Sequence, residues 1–308
     1  MKLKKPRFWD YKKPNIYAYS LYPFSLLINI LNLFRLKKKN KKFNIKTICI
    51  GNIYLGGTGK TSLCIKINEI LKKHKIKSCY IKKFYEDQVD EQTILKNSGK
   101  LFLAKERIKA LQEAENENYE VAIFDDGLQD KSIDFDIKIV CFNSISWIGN
   151  GMTIPSGPLR ENINNLKKYE HVFLNGNLEN YPELEKQILK INPNMNIYYG
   201  KYRALNLVEF GKDSNYLIFS GIGNHQTFVS MIKNYGLRVL KSIEFPDHYQ
   251  YSINDLNKIL KESSKLNCEI ITTEKDFNRI EKFNLSKIKF LKSEIQIVNE
   301  KKILKLIL

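Results

Sequence analysis

Apolar positions along this chain fall into two kinds of pattern, short unbroken runs and helically spaced stripes, and the two alternate. Lys46–Ile50 is a strand-type run that enters a glycine-rich turn, and Thr61–His74 then switches to helical spacing, with Leu63, Ile67, Ile70 and Leu71 on one face. Ser78–Ile81 predicts a second strand and Glu106–Asn116 a helix. Val121–Phe124 reads as a short buried strand ending at Asp125 and Asp126, and Ile137–Phe142 and His171–Leu174 as two more strands. A second series starts near residue 204. Tyr216–Ser220 is a strand leading into Gly221-Ile222-Gly223-Asn224, a helix runs from Gln226 to Tyr235, and Leu237–Ile243 is a strand. Ser252–Leu266 is helical, with Ile253, Leu256, Ile259 and Leu260 apolar, and Cys268–Ile271 is a strand ending in Thr272-Thr273-Glu274-Lys275-Asp276. Strand and helix in alternation predict an α/β protein: a parallel sheet flanked by helices, then a second, smaller α/β lobe. The expected division is an N-terminal segment 1–44, a phosphate-loop domain 45–203 and a C-terminal lobe 204–308. There is no internal repeat and no long Pro/Ser/Gly linker.

The first segment has a different pattern. Tyr17 to Phe34 carries Leu21, Tyr22, Phe24, Leu26, Leu27, Ile28, Ile30, Leu31, Leu33 and Phe34, with lysines and arginines on both sides. The run is somewhat short for a spanning helix, which needs about 20 residues. Basic flanks on both sides and no small-residue cleavage site argue against a signal peptide. The pattern suits a helix lying in a membrane interface, anchored by apolar side chains and by lysines on anionic lipid. An ordinary core helix beside a basic loop is the competing reading.

Charge sharpens this picture. The chain has 308 residues and a net charge of +18, and residues 1–46 hold thirteen Lys/Arg against the single acid Asp10. A basic end implies a polyanionic partner. Nucleic-acid binding would interleave aromatic and basic residues across a folded face. Here the charge sits at one end beside an apolar helix, which favours a membrane surface and no nucleic acid. Hydrophobic residues make up 43% of the chain, enough for a substantial core. The five cysteines are dispersed and the four histidines scattered, which disfavours a zinc site or a disulfide framework.

The chemistry starts at Ile48-Cys49-Ile50-Gly51-Asn52-Ile53-Tyr54-Leu55-Gly56-Gly57-Thr58-Gly59-Lys60-Thr61. An apolar strand, a glycine-rich turn and Lys-Thr opening a helix wrap backbone N–H groups around nucleotide phosphates. Lys60 would reach the terminal phosphates and the Thr61 hydroxyl would hold Mg²⁺. The strict pattern G-x-x-x-x-G-K-[ST] fails at its first glycine, where Tyr54 stands. A strand-to-helix turn that binds nothing is the alternative. Asp125 and Asp126 end a buried strand downstream, where a phosphate-loop enzyme places its metal-side carboxylate; a strand-end Asp can also simply cap a turn. Arg160, in Pro155-Ser156-Gly157-Pro158-Leu159-Arg160-Glu161, can clamp a phosphate or form a solvated ion pair. His248, in Phe245-Pro246-Asp247-His248-Tyr249, has a neighbouring carboxylate and can help move a proton, or be plain polar surface. The Thr272–Asp276 strand end can face the same cleft. Asp90-Glu91 is a weaker pair, indistinguishable in sequence from a solvated loop.

In this order these pieces resemble the tetraacyldisaccharide 4'-kinase family, the lipid A 4'-kinases. The resemblance runs from the N-terminal segment to about Asp276. It rests on Gly51-Asn52 through Thr61, Asp90-Glu91, Asp125-Asp126-Gly127-Leu128-Gln129, Gly157-Pro158-Leu159-Arg160-Glu161, Ser220-Gly221-Ile222-Gly223-Asn224, Asp247-His248 and Thr272–Asp276. The Gly-Asn…Gly-Gly form of the phosphate loop is also that family's form. The resemblance implies ATP and Mg²⁺ as cofactors and transfer of the γ-phosphate to the 4'-hydroxyl of a lipid A disaccharide precursor. It implies work on the cytoplasmic face of the inner membrane and no obligatory protein partner. It gives Tyr54, Leu55, Gly56, Gly57, Thr58, Gly59, Lys60 and Thr61 to the nucleotide. Thr61, Asp125, Asp126 and Glu161 go to the metal, directly or through water, and Arg160 and Glu161 line the nucleotide and metal region. Asp90 becomes the base accepting the hydroxyl proton and His248 its partner from the second lobe. Departures are Lys83-Phe84-Tyr85 in place of Arg-Gly-Tyr, Val89 in place of glycine before Asp90, and Asp130 in place of histidine after Gln129. The competing function is a soluble phosphate-loop NTPase of metallochaperone type. That reading needs a guanine-reading Asn/Thr-Lys-x-Asp, and Thr273-Glu274-Lys275-Asp276 lacks the spacing.

Overall fold

The computed structural model describes residues 5–33, 43–86, 88–176 and 181–308. The chain divides into two compact units, the larger built from residues 5–200 and 297–308 and the smaller from 201–296. Along the larger unit run α1 (Ile16–Leu33), β1 (Lys46–Gly51), α2 (Lys60–Lys73), β2 (Ser78–Lys83), α3 (Val89–Ser98), β3 (Leu101–Ala104), α4 (Arg107–Asn116), β4 (Val121–Asp125), β5 (Ile137–Asn143), β6 (His171–Asn175), α5 (Tyr181–Ile191) and β7 (Asn196–Ala204), which leads out of it. The smaller unit follows with β8 (Asn215–Ser220), α6 (His225–Asn234), β9 (Arg238–Glu244), α7 (Ile253–Leu266), β10 (Glu269–Thr273), α8 (Glu274–Ile280) and β11 (Ile288–Leu291). The chain then passes through β12 (Ser293–Ile297) into α9 (Glu300–Ile307).

The main sheet has the order β12-β7-β6-β5-β1-β4-β2-β3, and its pairings from β7 to β3 are all parallel. Buried parallel strands need apolar residues on both faces. Those of β1, β4 and β6 are buried along nearly their whole length. The path of the chain reverses beside β1, with β4 inserted on one side and β5 on the other. In open parallel sheets the crevice at such a point, off the carboxyl ends of the strands, is where ligands bind. Asn52, Lys82, Asp125, Asn143 and Asn175 all lie at those ends, and all are buried.

The smaller sheet, β11-β10-β8-β9, is also parallel throughout. Its core joins Phe219, Tyr251, Leu256, Ile259 and Ile270 on one face and Tyr216, Ile218, Phe228, Ile232 and Ile271 on the other. The lobe expected over 204–308 gives its last twelve residues to the larger unit. There Val298 N donates to Tyr199 O at 2.9 Å and Lys46 Nζ to Ile307 O at 2.9 Å.

The N-terminal run is helical as expected, from Ile16 to Leu33, with Pro23 inside it. It docks by its smaller residues. Ala18 and Ser25 are fully buried, Ser25 Oγ donates to Thr153 O at 2.8 Å, and Asn29 Nδ2 donates to Thr153 Oγ1 at 3.0 Å. The large side chains, among them Phe24, Leu27, Ile30 and Leu31, are exposed. Among the described residues no helix is long and apolar enough to cross a membrane. The basic positions 35–42 and 2–4 lie outside the described residues.

Candidate active site

The phosphate loop leaves the end of β1 and enters α2. Gly59, the residue before α2, has φ 80°, a left-handed conformation that a side chain would strain. No side chain caps α2, and its first turn carries no acid. Its orphan N–H groups and the positive end of its dipole are therefore left for an anion. Asn52 shapes the loop from inside, its Nδ2 donating to Tyr54 O at 2.6 Å and to Gly56 O at 3.3 Å. From the far side Asn175, at the end of β6, donates to Thr58 O.

The loop residues differ in what they offer. Gly56 to Thr61 form the cradle and the start of α2. The Leu55 amide already donates to Pro158 O at 2.7 Å. Tyr54 turns its ring into the N-terminal segment, where its hydroxyl meets Lys5 and Asp10, both at 3.3 Å. Of the predicted nucleotide contacts, these two are therefore committed to the protein through the groups named.

Beneath the loop, Asp125 is fully buried. Its Oδ2 accepts from Thr61 Oγ1 at 3.1 Å and from Lys82 Nζ at 2.7 Å. Its Oδ1 is buried and without a hydrogen-bond partner among the described residues, as are Thr58 Oγ1 and Asn52 Oδ1. Buried polar atoms are almost always satisfied. Three orphans around one phosphate loop fit a nucleotide and its metal. No three His, Cys, Asp or Glu side chains converge as a closed metal cage among the described residues. Mg²⁺ asks for less, one or two carboxylates beside substrate phosphates, and Asp125 Oδ1 with the Thr61 hydroxyl is such a donor set.

Asp126 sits at φ 64°, which turns its side chain away from that of its neighbour. Arg160 Nη1 bridges both its oxygens, at 2.8 and 2.9 Å, and Arg107 donates to its carbonyl. Burial works to raise the Asp126 carboxyl, but the charges of Lys60, Arg160 and Arg107 outweigh it and hold the group down at about 2. Arg107 also pairs with Asp130 at 3.2 Å, so the acid standing after Gln129 carries its own counter-charge. Next to this pair lies a cavity of about 500 Å³, lined by Lys83, Lys105, Arg107, Asp126, Asp130 and Arg160 among others.

Glu161 accepts from Gln129 Nε2 (3.0 Å) and Tyr169 OH (3.1 Å) on Oε1, and from Asn165 Nδ2 (2.9 Å) on Oε2. Its carboxylate is thus satisfied by protein donors, unlike that of Asp125. Asp90 is the second residue of α3, and it is its neighbour Glu91 that meets Lys82, at 2.8 Å. His248 belongs to the smaller unit, at φ 55°, with its amide donating to Gly221 O at 3.0 Å and Nε2 3.8 Å from Asp247 Oδ1. Asp276 serves its own unit, fully buried and accepting from Gly221 N, Tyr251 OH and Arg279 Nη1. Lys82, Arg107 and Asn175 were not singled out by the sequence patterns, and Asn52 entered only as part of the Gly-Asn…Gly-Gly form. The usable signal for Lys82 was a charge closing the apolar strand Cys79-Tyr80-Ile81.

Comparison with known proteins identifies the family. The family profile described as LpxK, tetraacyldisaccharide-1-P 4'-kinase, matches residues 17–308. The tetraacyldisaccharide 4'-kinase of Pelagibacter ubique is 58% identical over 301 residues, covering 98% of this chain and 96% of its own. That of Rickettsia canadensis is 33% identical, covering 97% and 95%. Among solved structures, LpxK from Aquifex aeolicus in complex with ATP superposes with a TM-score of 0.68 at 22% identity, over 94% of this chain and 98% of that one. These matches favour the kinase over the soluble NTPase alternative. A family profile matched over nearly the whole chain and a relative 58% identical over 98% of it make this protein a member of the tetraacyldisaccharide 4'-kinase family.

Proposed function

We propose that this protein transfers the γ-phosphate of ATP to the 4'-hydroxyl of a tetraacyl disaccharide 1-phosphate. The observation that carries the reading is the buried Asp125, with one oxygen held by Thr61 and Lys82 and the other without a partner, directly under the phosphate loop. The transferring phosphoryl group carries spread negative charge, so catalysis is mostly positioning and charge neutralisation. The α2 N-terminus and Lys60 hold the β- and γ-phosphates. Thr61 and Asp125 are the residues that would hold Mg²⁺, which when bound neutralises phosphate charge. Arg160, steadied on Asp126, adds a cation at the mouth of the site. The basic cavity beside it suits the anionic head of the acceptor. Asp90 is the base that takes the hydroxyl proton, and His248 is a second catalytic residue.

The acceptor's acyl chains stay in a bilayer, so the enzyme works at a lipid surface. The exposed Phe24, Leu27, Ile30 and Leu31 of α1 suit the acyl boundary of the inner membrane's cytoplasmic face, and the neighbouring lysines suit its anionic headgroups. The test is transfer of label from radioactive ATP to a tetraacyl disaccharide 1-phosphate in detergent micelles. Wild type is run beside Lys60→Ala, Asp90→Ala and His248→Ala. Labelled lipid with wild type and a loss in all three variants supports the reading. An unlabelled lipid with a folded, ATP-binding wild type sinks it, and label kept by Asp90→Ala alone moves the base elsewhere.

A further inference from the structure

Lys82 is a lysine almost entirely out of water, with 3% of its side chain exposed. The pairing of β2 with β4 sets Ile81 against Phe124, so the next residues, Lys82 and Asp125, come side by side at the strand ends. The ammonium makes two ion pairs there, at 2.7 Å to Asp125 Oδ2 and at 2.8 Å to Glu91 Oε2. Burial alone would lower the lysine; the two carboxylates more than reverse that and keep it charged. A buried ion pair of this kind is seldom retained for stability, because desolvation cancels most of its attraction. What it does fix is geometry. Glu91 lies in the first turn of α3, where a carboxylate also complements the helix dipole, and it is covalently next to Asp90.

We propose that Lys82 is a positioning residue for phosphoryl transfer: one ammonium joins the metal-side carboxylate Asp125 to the start of α3, and so sets the proton-accepting end of that helix relative to the nucleotide. The inference rests on the kinase reading above. It has two separable arms. On the Asp125 arm, Lys82 occupies Oδ2 together with Thr61, which leaves Oδ1 as the oxygen for a metal and places a fixed positive charge beside it. On the Glu91 arm, it anchors α3.

The arms predict different losses. In Lys82→Met the buried Asp125 loses the cation on its Oδ2, so a divalent ion at Oδ1 meets no ammonium beside it. Mn²⁺ binding in the presence of ADP, read by electron paramagnetic resonance, should tighten at least about tenfold. Over the same change kcat for the lipid should fall about 10- to 100-fold, because the tie to α3 is gone. Metal held more tightly by a slower enzyme is a split that a merely structural lysine would not produce. Lys82→Arg keeps the charge and should hold Mn²⁺ affinity near wild type. Glu91→Gln should leave Mn²⁺ affinity within about threefold of wild type and still lower kcat about tenfold. The proposal is overturned if Lys82→Met slows the enzyme with unchanged Mn²⁺ affinity, or if Glu91→Gln keeps wild-type kcat. Should Lys82→Met fail to fold, the other two variants decide in the same way. A wild type that leaves the lipid unlabelled defeats the kinase reading, and the Mn²⁺ series still decides the Lys82–Asp125 arm by itself.

Discussion

At the residue scale, two adjacent aspartates end the same strand and have unlike surroundings. Asp125 is buried on a lysine and a threonine, and Asp126 turns to Arg160 through a left-handed backbone. Asn tolerates that conformation and Ala does so at a cost of about 1–2 kcal/mol. Asp126→Asn should therefore keep the fold and remove only the charge, with Arg160 left loose and kcat down about 100-fold. It should also remove a pH-dependent part of stability. The folded carboxyl lies below its usual value, so its contribution is present above pH about 4 and lost as the pH falls through 2; its size is about 2 kcal/mol. Equal acid sensitivity of wild type and Asp126→Asn in urea titrations would refute this. Asn175→Ala offers a second test, on the loop itself. Thr58 O would lose its donor, at a cost of about 1–3 kcal/mol, and the ATP Kd measured by calorimetry should rise with little change in kcat. The aspartates were legible in sequence because a charge ending an apolar run is conspicuous. Asn175 was not, because a buried amide that braces a loop has no sequence signature beyond its position.

At the element scale, the alternation of runs and stripes located every strand around the phosphate loop to within two residues. It left α5, β7, α3 and β3 of the larger unit unassigned; of the last two, Val89–Ser98 buries little beyond Gln92 and Leu95 and Leu101–Ala104 is a four-residue edge strand. Short elements at a sheet edge bury too few side chains to leave a period. The helix α1 was legible as an apolar run, yet its packing face was not, since it docks through Ala18, Ser25 and Asn29 and leaves its large residues exposed. The strap that leads into it is pinned at one tight spot. Gly149 has φ 57°, and a Cβ there would stand 2.1 Å from Trp9 O. Asn150 N donates to that same oxygen at 2.9 Å, and Trp9 Nε1 reaches Pro155 O at 3.0 Å. Gly149→Ala should therefore release residues 5–33 from the 149–156 loop. Limited proteolysis should cleave that segment much faster in the variant, at a stability loss of about 2 kcal/mol or more. An unchanged cleavage pattern would mean the strap is held elsewhere.

At the scale of the whole molecule, the order of weak motifs carried the family resemblance, while the return of residues 297–308 to the larger unit had no local signal. What holds each unit against acid follows from its buried histidines. In the smaller unit His225 opens α6 with Nδ1 2.7 Å from Ser220 Oγ on β8 and Nε2 2.5 Å from Ser242 Oγ on β9. Burial lowers its pKa below the usual 6.5, against the weaker pull of Glu244 and Asp276. In the larger unit His171 is also lowered by burial, with Glu170 opposing. For a group depressed in the folded state, the unfolded chain takes the proton first. Stability is then full above pH about 6.5 and declines as the pH falls below it. Free carboxylates titrate nearer 4, so the window from pH 7.5 to 5.5 isolates the histidines. Wild type should lose several degrees of Tm across that window, and the double variant His225→Gln, His171→Gln should lose much less. If both proteins fall by the same amount, protonation of these two imidazoles does not govern the acid limit, and a different buried group must.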